Sequence, residues 1–283
     1  LEGNSYINEV MGAEKKKENL KDIFSVFRDF RNYLGEAYLQ FGEPINLNAL
    51  LKEYPLSDYS SEKDWLFKVT PVLGKKIMTT INDSTVVTST ALFSLAILNS
   101  DGFSISNREL VSRIELLKSL LAEDKYSAKT LICEKTGEEI IDQMRKLGFL
   151  SKEDINDRIS LTNLEAAKLS FYRNNISHLL IFESLICGFF QYQKEIIKED
   201  LLQSIKMIYP FLKEEFFLKW DEADLDQLIN LKLNKLINKN LILEDSNNYK
   251  RPDFKSREFY ETQSLGKLVQ PSIDRFYVLI SQL

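Results

Sequence analysis

The sequence predicts a mainly α-helical chain with two short β-hairpins, preceded by the last helix and strand of an α/β unit. Three observations carry that expectation. Apolar residues recur at three- and four-residue spacing over most of the chain beyond residue 46. Ser/Thr-x-x-Glu boxes, which satisfy the orphan amides of a helix start, stand at Ser106–Glu109 and Thr162–Glu165. Alternating stretches bounded by turn residues are confined to three places.

In chain order, Ile23, Phe24, Phe27, Phe30 and Leu34 form the stripe of an amphipathic helix that stops at Gly35. Tyr38-Leu39-Gln40-Phe41 then alternates ahead of the breakers Gly42-Glu43-Pro44, the pattern of a short strand. Helical spacing follows over 46–54, 71–81, 86–99, 107–121, 137–147, 163–193, 200–217, 222–239, 256–266 and 272–283, with Pro271 placed as a first-turn proline. Two hairpins interrupt the helices. Phe149-Leu150 is expected to pair with Arg158-Ile159-Ser160-Leu161, and Leu241-Ile242-Leu243 with Tyr249-Lys250-Arg251 across Asp245-Ser246-Asn247-Asn248. A helix feeding a two-stranded wing is winged-helix architecture. The loops Ser151-Lys152-Glu153-Asp154 and Glu244-Asp245 are largely acidic, however, which a wing facing DNA would avoid.

Composition narrows the function classes. The 283 residues are 44% hydrophobic and 28% charged, enough apolar surface for a sizeable core and too little polar bias for long disordered tracts. A net charge of -5 has the wrong sign for a chain that releases counterions along a phosphate backbone, so no nucleic acid is expected as a partner. Cys133 and Cys187 stand far apart with no Cys-x-x-Cys spacing, giving neither a disulfide framework nor a zinc pattern and fitting a reducing cytoplasm. The apolar run 176–190 is broken by His178, Glu183 and Gly188 and falls short of the ~20 residues that span a bilayer, so no transmembrane helix is expected. The first residues read neither as a signal peptide nor as an initiator, and the chain looks like a piece of something longer.

With one histidine, every His-dependent mechanism reduces to His178. Two readings stand side by side. In one, His178 is a helix residue whose ring nitrogens meet nearby polar groups. In the other, Arg173, Asn174, Asn175 and His178 form a polar cluster for an anionic ligand, since a guanidinium fork suits phosphate and carboxylate. His178 and Glu183 are five residues apart, about 140° around a helix, and make no dyad while the segment stays helical. The carboxylate pairs Glu138-Glu139, Glu214-Glu215 and Asp221-Glu222 read as solvated helix faces. No glycine-rich phosphate loop or nucleophile elbow occurs. Lys15, Lys16, Lys17, Lys21, Arg28 and Arg31 line a partly basic face beside Phe24, Phe27 and Phe30, which suits an anionic membrane surface or, diluted by Asp22 and Asp29, a solvated face over a packed aromatic stripe.

Several stretches are unusually specific: 12–20 (Gly-Ala-Glu-Lys-Lys-Lys-Glu-Asn-Leu), Phe41-Gly42-Glu43-Pro44-Ile45, Tyr172-Arg173-Asn174-Asn175-Ile176-Ser177-His178, and the run from Tyr209-Pro210-Phe211 to Leu218-Lys219-Trp220-Asp221. Together, and in this order, they resemble the bacterial-type glycerol-3-phosphate 1-O-acyltransferases. The resemblance implies acyl transfer from acyl-CoA or acyl-carrier protein to the sn-1 hydroxyl of glycerol 3-phosphate. It also implies no cofactor and no metal, and a location on the cytoplasmic face of the bacterial inner membrane. In that family a His-x4-Asp supplies the general base and its orienter, and those blocks precede the point that Leu1 matches. No catalytic residue carries over; His178-x4-Glu183 copies the spacing in the wrong region and ends in Glu. The implied layout puts residues 1–48 at the end of an α/β acyltransferase domain and 49–283 in a helical C-terminal domain. The rival expectation is a non-catalytic helical module that docks a partner protein or an anionic membrane surface.

Overall fold

A computed structural model describes residues 35–150 and 157–282. Among the described residues are eleven α-helices and three small sheets, the mainly helical architecture that the spacing predicts. The predicted helix ending at Gly35, with its basic residues Lys15, Lys16, Lys17, Lys21, Arg28 and Arg31, lies outside them. The chain forms two compact units. Among the described residues, the first holds 35–38, Val87–Asp124, 132–150 and 157–180; the second holds Leu39–Val86, Lys125–Leu131 and 181–282.

The predicted strand at 38–41 is not formed; residues 35–46 run without regular structure. The alternation is nonetheless real. Gln40 donates from Nε2 to the Lys129 carbonyl at 2.6 Å and Gly42 lies against Thr80, while Leu39 and Phe41 point outward. Helix α1 (Leu47–Glu53) starts on Asn46, whose side chain accepts from Ala49 N. Helix α2 (Glu62–Asp83) begins well before the predicted 71–81. Ser61 caps it by accepting from Asp64 N at 3.1 Å. Pro71 is therefore an interior proline, and the Phe67 carbonyl that loses its helical donor is on an exposed residue.

After β1 (Val86–Val87), the first unit holds α3 (Ser89–Leu98), predominantly apolar and buried at every position but Thr90. Strand β2 (Ser104–Ser106) runs directly into α4 (Asn107–Glu123), whose Ser106/Glu109 capping box forms as predicted. After β3 (Leu131–Ile132), α5 (Gly137–Lys146) opens on a further box, Thr136 with Glu139. Strand β4 (Arg158–Ser160) pairs antiparallel with β2, Ile105 opposite Ile159. This corrects the predicted partner: Phe149-Leu150 is in no strand, because the buried Ile105 on the distant β2 offers Ile159 an apolar neighbour that local sequence spacing does not show. Helix α6 (Asn163–Asn174) opens on the Thr162/Glu165 box and packs on α3.

The second unit continues with α7 (Ile181–Phe189), β5 (Glu195–Ile197), α8 (Lys198–Phe216), α9 (Leu225–Asn238), β6 (Leu243–Asp245), β7 (Asn248–Lys250), α10 (Arg257–Gly266) and α11 (Gln270–Ser281). The predicted helix 163–193 is thus three pieces: α6, a 3-10 turn at Ser177–Leu180, and α7. The second predicted hairpin forms as β6 and β7 with a tighter two-residue turn, Ser246-Asn247, in which Ser246 takes φ 48°. Strand β5 pairs with β7, so the sheet order is β5-β7-β6. Helix, strand, helix, helix, hairpin with that pairing is the winged-helix order, and the first unit repeats its outline from α3 through β4.

Two contacts fix the second unit's core. A Cβ on Gly266 would stand 2.9 Å from Gly188 N, so α10 meets α7 backbone to backbone. At the far end of α8, Phe217 adopts the left-handed conformation (φ 51°) and Leu218 N returns to the Lys213 carbonyl. That reversal brings Trp220 back onto the helix. The fully buried Tyr209 donates its hydroxyl to the Trp220 carbonyl at 2.7 Å and stacks on Phe182. Trp220 meets Tyr126 edge-on, and Lys219 lies over the Tyr126 ring while bonding Asp83. Burial, and then the Asp83 charge, push the Tyr126 phenol well above its usual range, so it stays protonated. The stretch from Tyr209 to Asp221 therefore builds structure.

Candidate functional site

The residues of the anionic-ligand cluster read from the sequence differ in burial. They fall at the end of α6 and in the following 3-10 turn, where the helix loses its register. Arg173 turns its guanidinium onto Asn174 Oδ1, Nη2 at 3.1 Å, and its carbonyl accepts from Ser177 Oγ. Asn174 and Asn175 are exposed, whereas His178 is buried with Ile176 and Leu179 on either side in sequence. Arg173, Asn174 and Asn175 can meet solvent; His178 is turned away from it. Glu183, the other half of the copied spacing, is on α7 in the second unit.

What the sequence reading missed is a buried charge cluster. Glu183 has no exposed surface, and the ammonium groups of Lys232 and Lys235, both buried on α9, converge on its Oε1, Lys232 at 3.4 Å. A signal was present. Lys232 and Lys235 interrupt the apolar positions Leu228, Ile229, Leu233 and Leu236, and Glu183 interrupts the apolar run 176–190. Lysines inside an apolar stripe require a carboxylate inside the opposite one.

In the winged-helix order, α9 takes the place of the third helix. Its exposed positions are Asp226, Gln227, Asn230, Leu231, Asn234 and Asn238, while both of its lysines are held inward by Glu183. The adjoining wing carries Glu244 and Asp245, each taken up by a lysine, Lys198 and Lys250. This face offers hydrogen-bonding amides rather than cations.

A groove of about 180 Å³ lies between α7, α8 and the start of α11, lined by Leu185, Phe189, Ile208, Val269 and Ile273 with Gln193 and Gln270 at hand. Its other polar group is the Tyr192 phenol; no carboxylate, imidazole, amine or thiol lines it, and its walls suit apolar matter. Among the described residues no group of three or more His, Cys, Asp or Glu could hold a metal, and no helix is long and apolar enough to cross a membrane. Cys187 is wholly buried, and burial, helped by the Glu183 charge, pushes its thiol far above the usual range. Cys133 is half-buried with Sγ 3.2 Å from Ser89 Oγ. Ellman's reagent is therefore expected to label Cys133 in the native protein and Cys187 only at the rate of unfolding; equal native rates would contradict the packing around α7.

Comparison with known proteins adds a family. Residues 6–283 match the model of the glycerol-3-phosphate acyltransferase C-terminal region. The chain is 30% identical over its whole length to a glycerol-3-phosphate acyltransferase of Pseudomonas putida (strain GB-1), and 29% identical to those of Pseudomonas aeruginosa (strain LESB58) and Pseudomonas syringae pv. tomato. All of this chain is covered in each case, against 35% of each relative. The chain spans about a third of the length of the curated relatives it matches.

Proposed function

From the premise that the chain belongs to the glycerol-3-phosphate acyltransferase C-terminal region family, we propose that it serves acyl transfer as a supporting part. The reaction moves an acyl group from acyl-CoA or acyl-carrier protein to the sn-1 hydroxyl of glycerol 3-phosphate, an early step of phospholipid synthesis. The chemistry belongs to the two-thirds of the relatives that lie outside the match. Transfer to a hydroxyl needs a base within hydrogen-bond reach of that hydroxyl. The only histidine, His178, is buried in a 3-10 turn, and its five-residue spacing ends in Glu183, whose carboxylate is taken by two lysines. The observation that carries the reading is the family match over 6–283.

On this reading residues 1–48 close an α/β acyltransferase domain and 49–283 form the helical domain behind it. Arg173, Asn174 and Asn175 remain the candidates for contact with an anionic substrate group. The assembly works on the cytoplasmic face of the inner membrane, held there peripherally, with Lys15, Lys16, Lys17, Lys21, Arg28 and Arg31 against anionic lipid.

Two measurements test it. The purified chain, given palmitoyl-CoA and glycerol 3-phosphate, is expected to release no CoA above background; glycerol-3-phosphate-dependent release would place the chemistry in this chain. Exchanging the matched third of the Pseudomonas putida enzyme for this chain is expected to restore turnover that the truncated enzyme lacks. A chimera that folds and stays inactive would leave a non-catalytic docking module as the better reading.

A further inference from the structure

The apolar groove of the second unit is floored by the core itself. Leu185 is 4% exposed and Val269 2%. Buried hydrogen bonds hold that floor, Val269 N donating to Ser184 Oγ at 2.9 Å and Ser184 donating to the Gly266 carbonyl at 3.5 Å. Phe189, Ile208 and Ile273 form the walls, while Tyr192, Gln193 and Gln270 bring polar atoms without charge. Gln270 is steadied by donating to Asp274 at 2.7 Å. The slot is therefore built before anything enters it.

Gly188, on the same groove, carries a second and independent signal. A glycine inside a helix is destabilising relative to alanine, and packing does not ask for this one. A Cβ at 188 would meet nothing closer than 3.7 Å, which is ordinary contact. Its backbone is not left-handed, so the end of α7 does not require it either. Gly266 is the contrast, since its own Cβ would strike the Gly188 nitrogen. What a side chain at 188 would remove is room in the groove.

We propose that this groove binds a stretch of the hydrocarbon chain of an acyl thioester. The inference rests on the acyl-transfer reading above and adds a place where part of the donor's chain is held. Size and charge choose the occupant. An apolar cavity of about 150 Å³ holds one benzene, so this groove of about 180 Å³ takes about seven chain carbons. No cation lines it, so the carboxylate of a free fatty acid would lose water there without gaining a partner. A thioester brings only a carbonyl to the Tyr192 phenol and the two carboxamides, which can donate to it.

Isothermal titration calorimetry of the full chain with butyryl-, hexanoyl-, octanoyl- and decanoyl-CoA tests this, with CoA alone as the baseline. Affinity is expected to rise about three- to fourfold per added methylene until the groove fills near about eight carbons, then to level off. A flat series, or no binding of decanoyl-CoA, overturns the proposal. Gly188→Met puts a thioether chain into the groove and is expected to weaken decanoyl-CoA at least about tenfold. Gly188→Ala is the folding control, because its methyl meets only ordinary contacts. Decanoyl-CoA with a diazirine at the chain end locates the site without any variant. Adducts are expected within 181–193 and 268–275, and adducts confined to other segments overturn the proposal even where Gly188→Met fails to fold. Equal binding of decanoate would assign the groove to free fatty acids. Self-association that Gly188→Met abolishes would assign it to a second copy, and either result overturns the assignment. None of these outcomes touches the acyltransferase reading, which the chimera tests.

Discussion

Glu183→Ala is expected to cost about 3–5 kcal/mol of folding stability, because it leaves two ammonium groups in the second unit's interior without the carboxylate they share. Glu183 and both lysines are shut off from water, so no solvent can take over the charge. Glu183→Gln keeps an oxygen acceptor for one lysine and is expected to lose less than Ala. Replacing all three residues together, Glu183→Leu with Lys232→Met and Lys235→Met, is expected to recover most of the loss, since apolar groups of similar volume carry no desolvation penalty. Urea unfolding midpoints read all three. A loss below about 1 kcal/mol for Glu183→Ala would mean that the lysines swing out to solvent.

Tyr209→Ala is expected to be of similar size, about 3–5 kcal/mol, for a different reason: it opens a cavity under Phe182 and removes the bond that ties the Trp220 carbonyl to α8. Tyr209→Phe separates the two contributions. It keeps the ring stack and leaves the carbonyl without its donor, at about 1–3 kcal/mol. Burial pushes the phenol above its ordinary range, so the hydroxyl remains a donor across the neutral and mildly alkaline region and neither variant should show a pH-dependent difference there. Equal losses for Phe and Ala would put the whole effect in the hydrogen bond.

Local signals in the sequence were strong where a neighbour a few residues away decides the outcome. Ser106 with Glu109 and Thr162 with Glu165 start helices because each box closes on itself, and Thr136 with Glu139 does the same although Gly137 hides it. The start of α2 was lost because Pro71 is well suited to a first turn; the true cap, Ser61 with Asp64, lies ten residues earlier behind a charged turn. The break at Asn175 was lost because the run beyond it is buried on all sides and has no period to read. Distant partners were out of reach: β4 chooses β2, and Glu183 finds lysines on a helix that begins more than forty residues on. Of the candidate ligand cluster, the residue types were legible and the burial of His178 was not, because a helix and a 3-10 turn place the same four letters on different faces.

The crossing of α7 and α10 at Gly188 and Gly266 sets the range of side chains the family's descendants can use there. Where two backbones touch, the alphabet at position 266 has one letter: alanine already places a carbon within 3.0 Å of the Cys187 carbonyl carbon. The exposed apolar residues of α2, Leu66, Phe67, Ile77, Met78 and Ile81, are the opposite case. Leucine, isoleucine, methionine and phenylalanine are near-synonyms on a surface that asks only for apolar area, so that helix can be rewritten almost freely. Substitution is therefore cheap on the exposed apolar positions of α2, while the word that holds the second unit together stays fixed at a residue with no side chain at all.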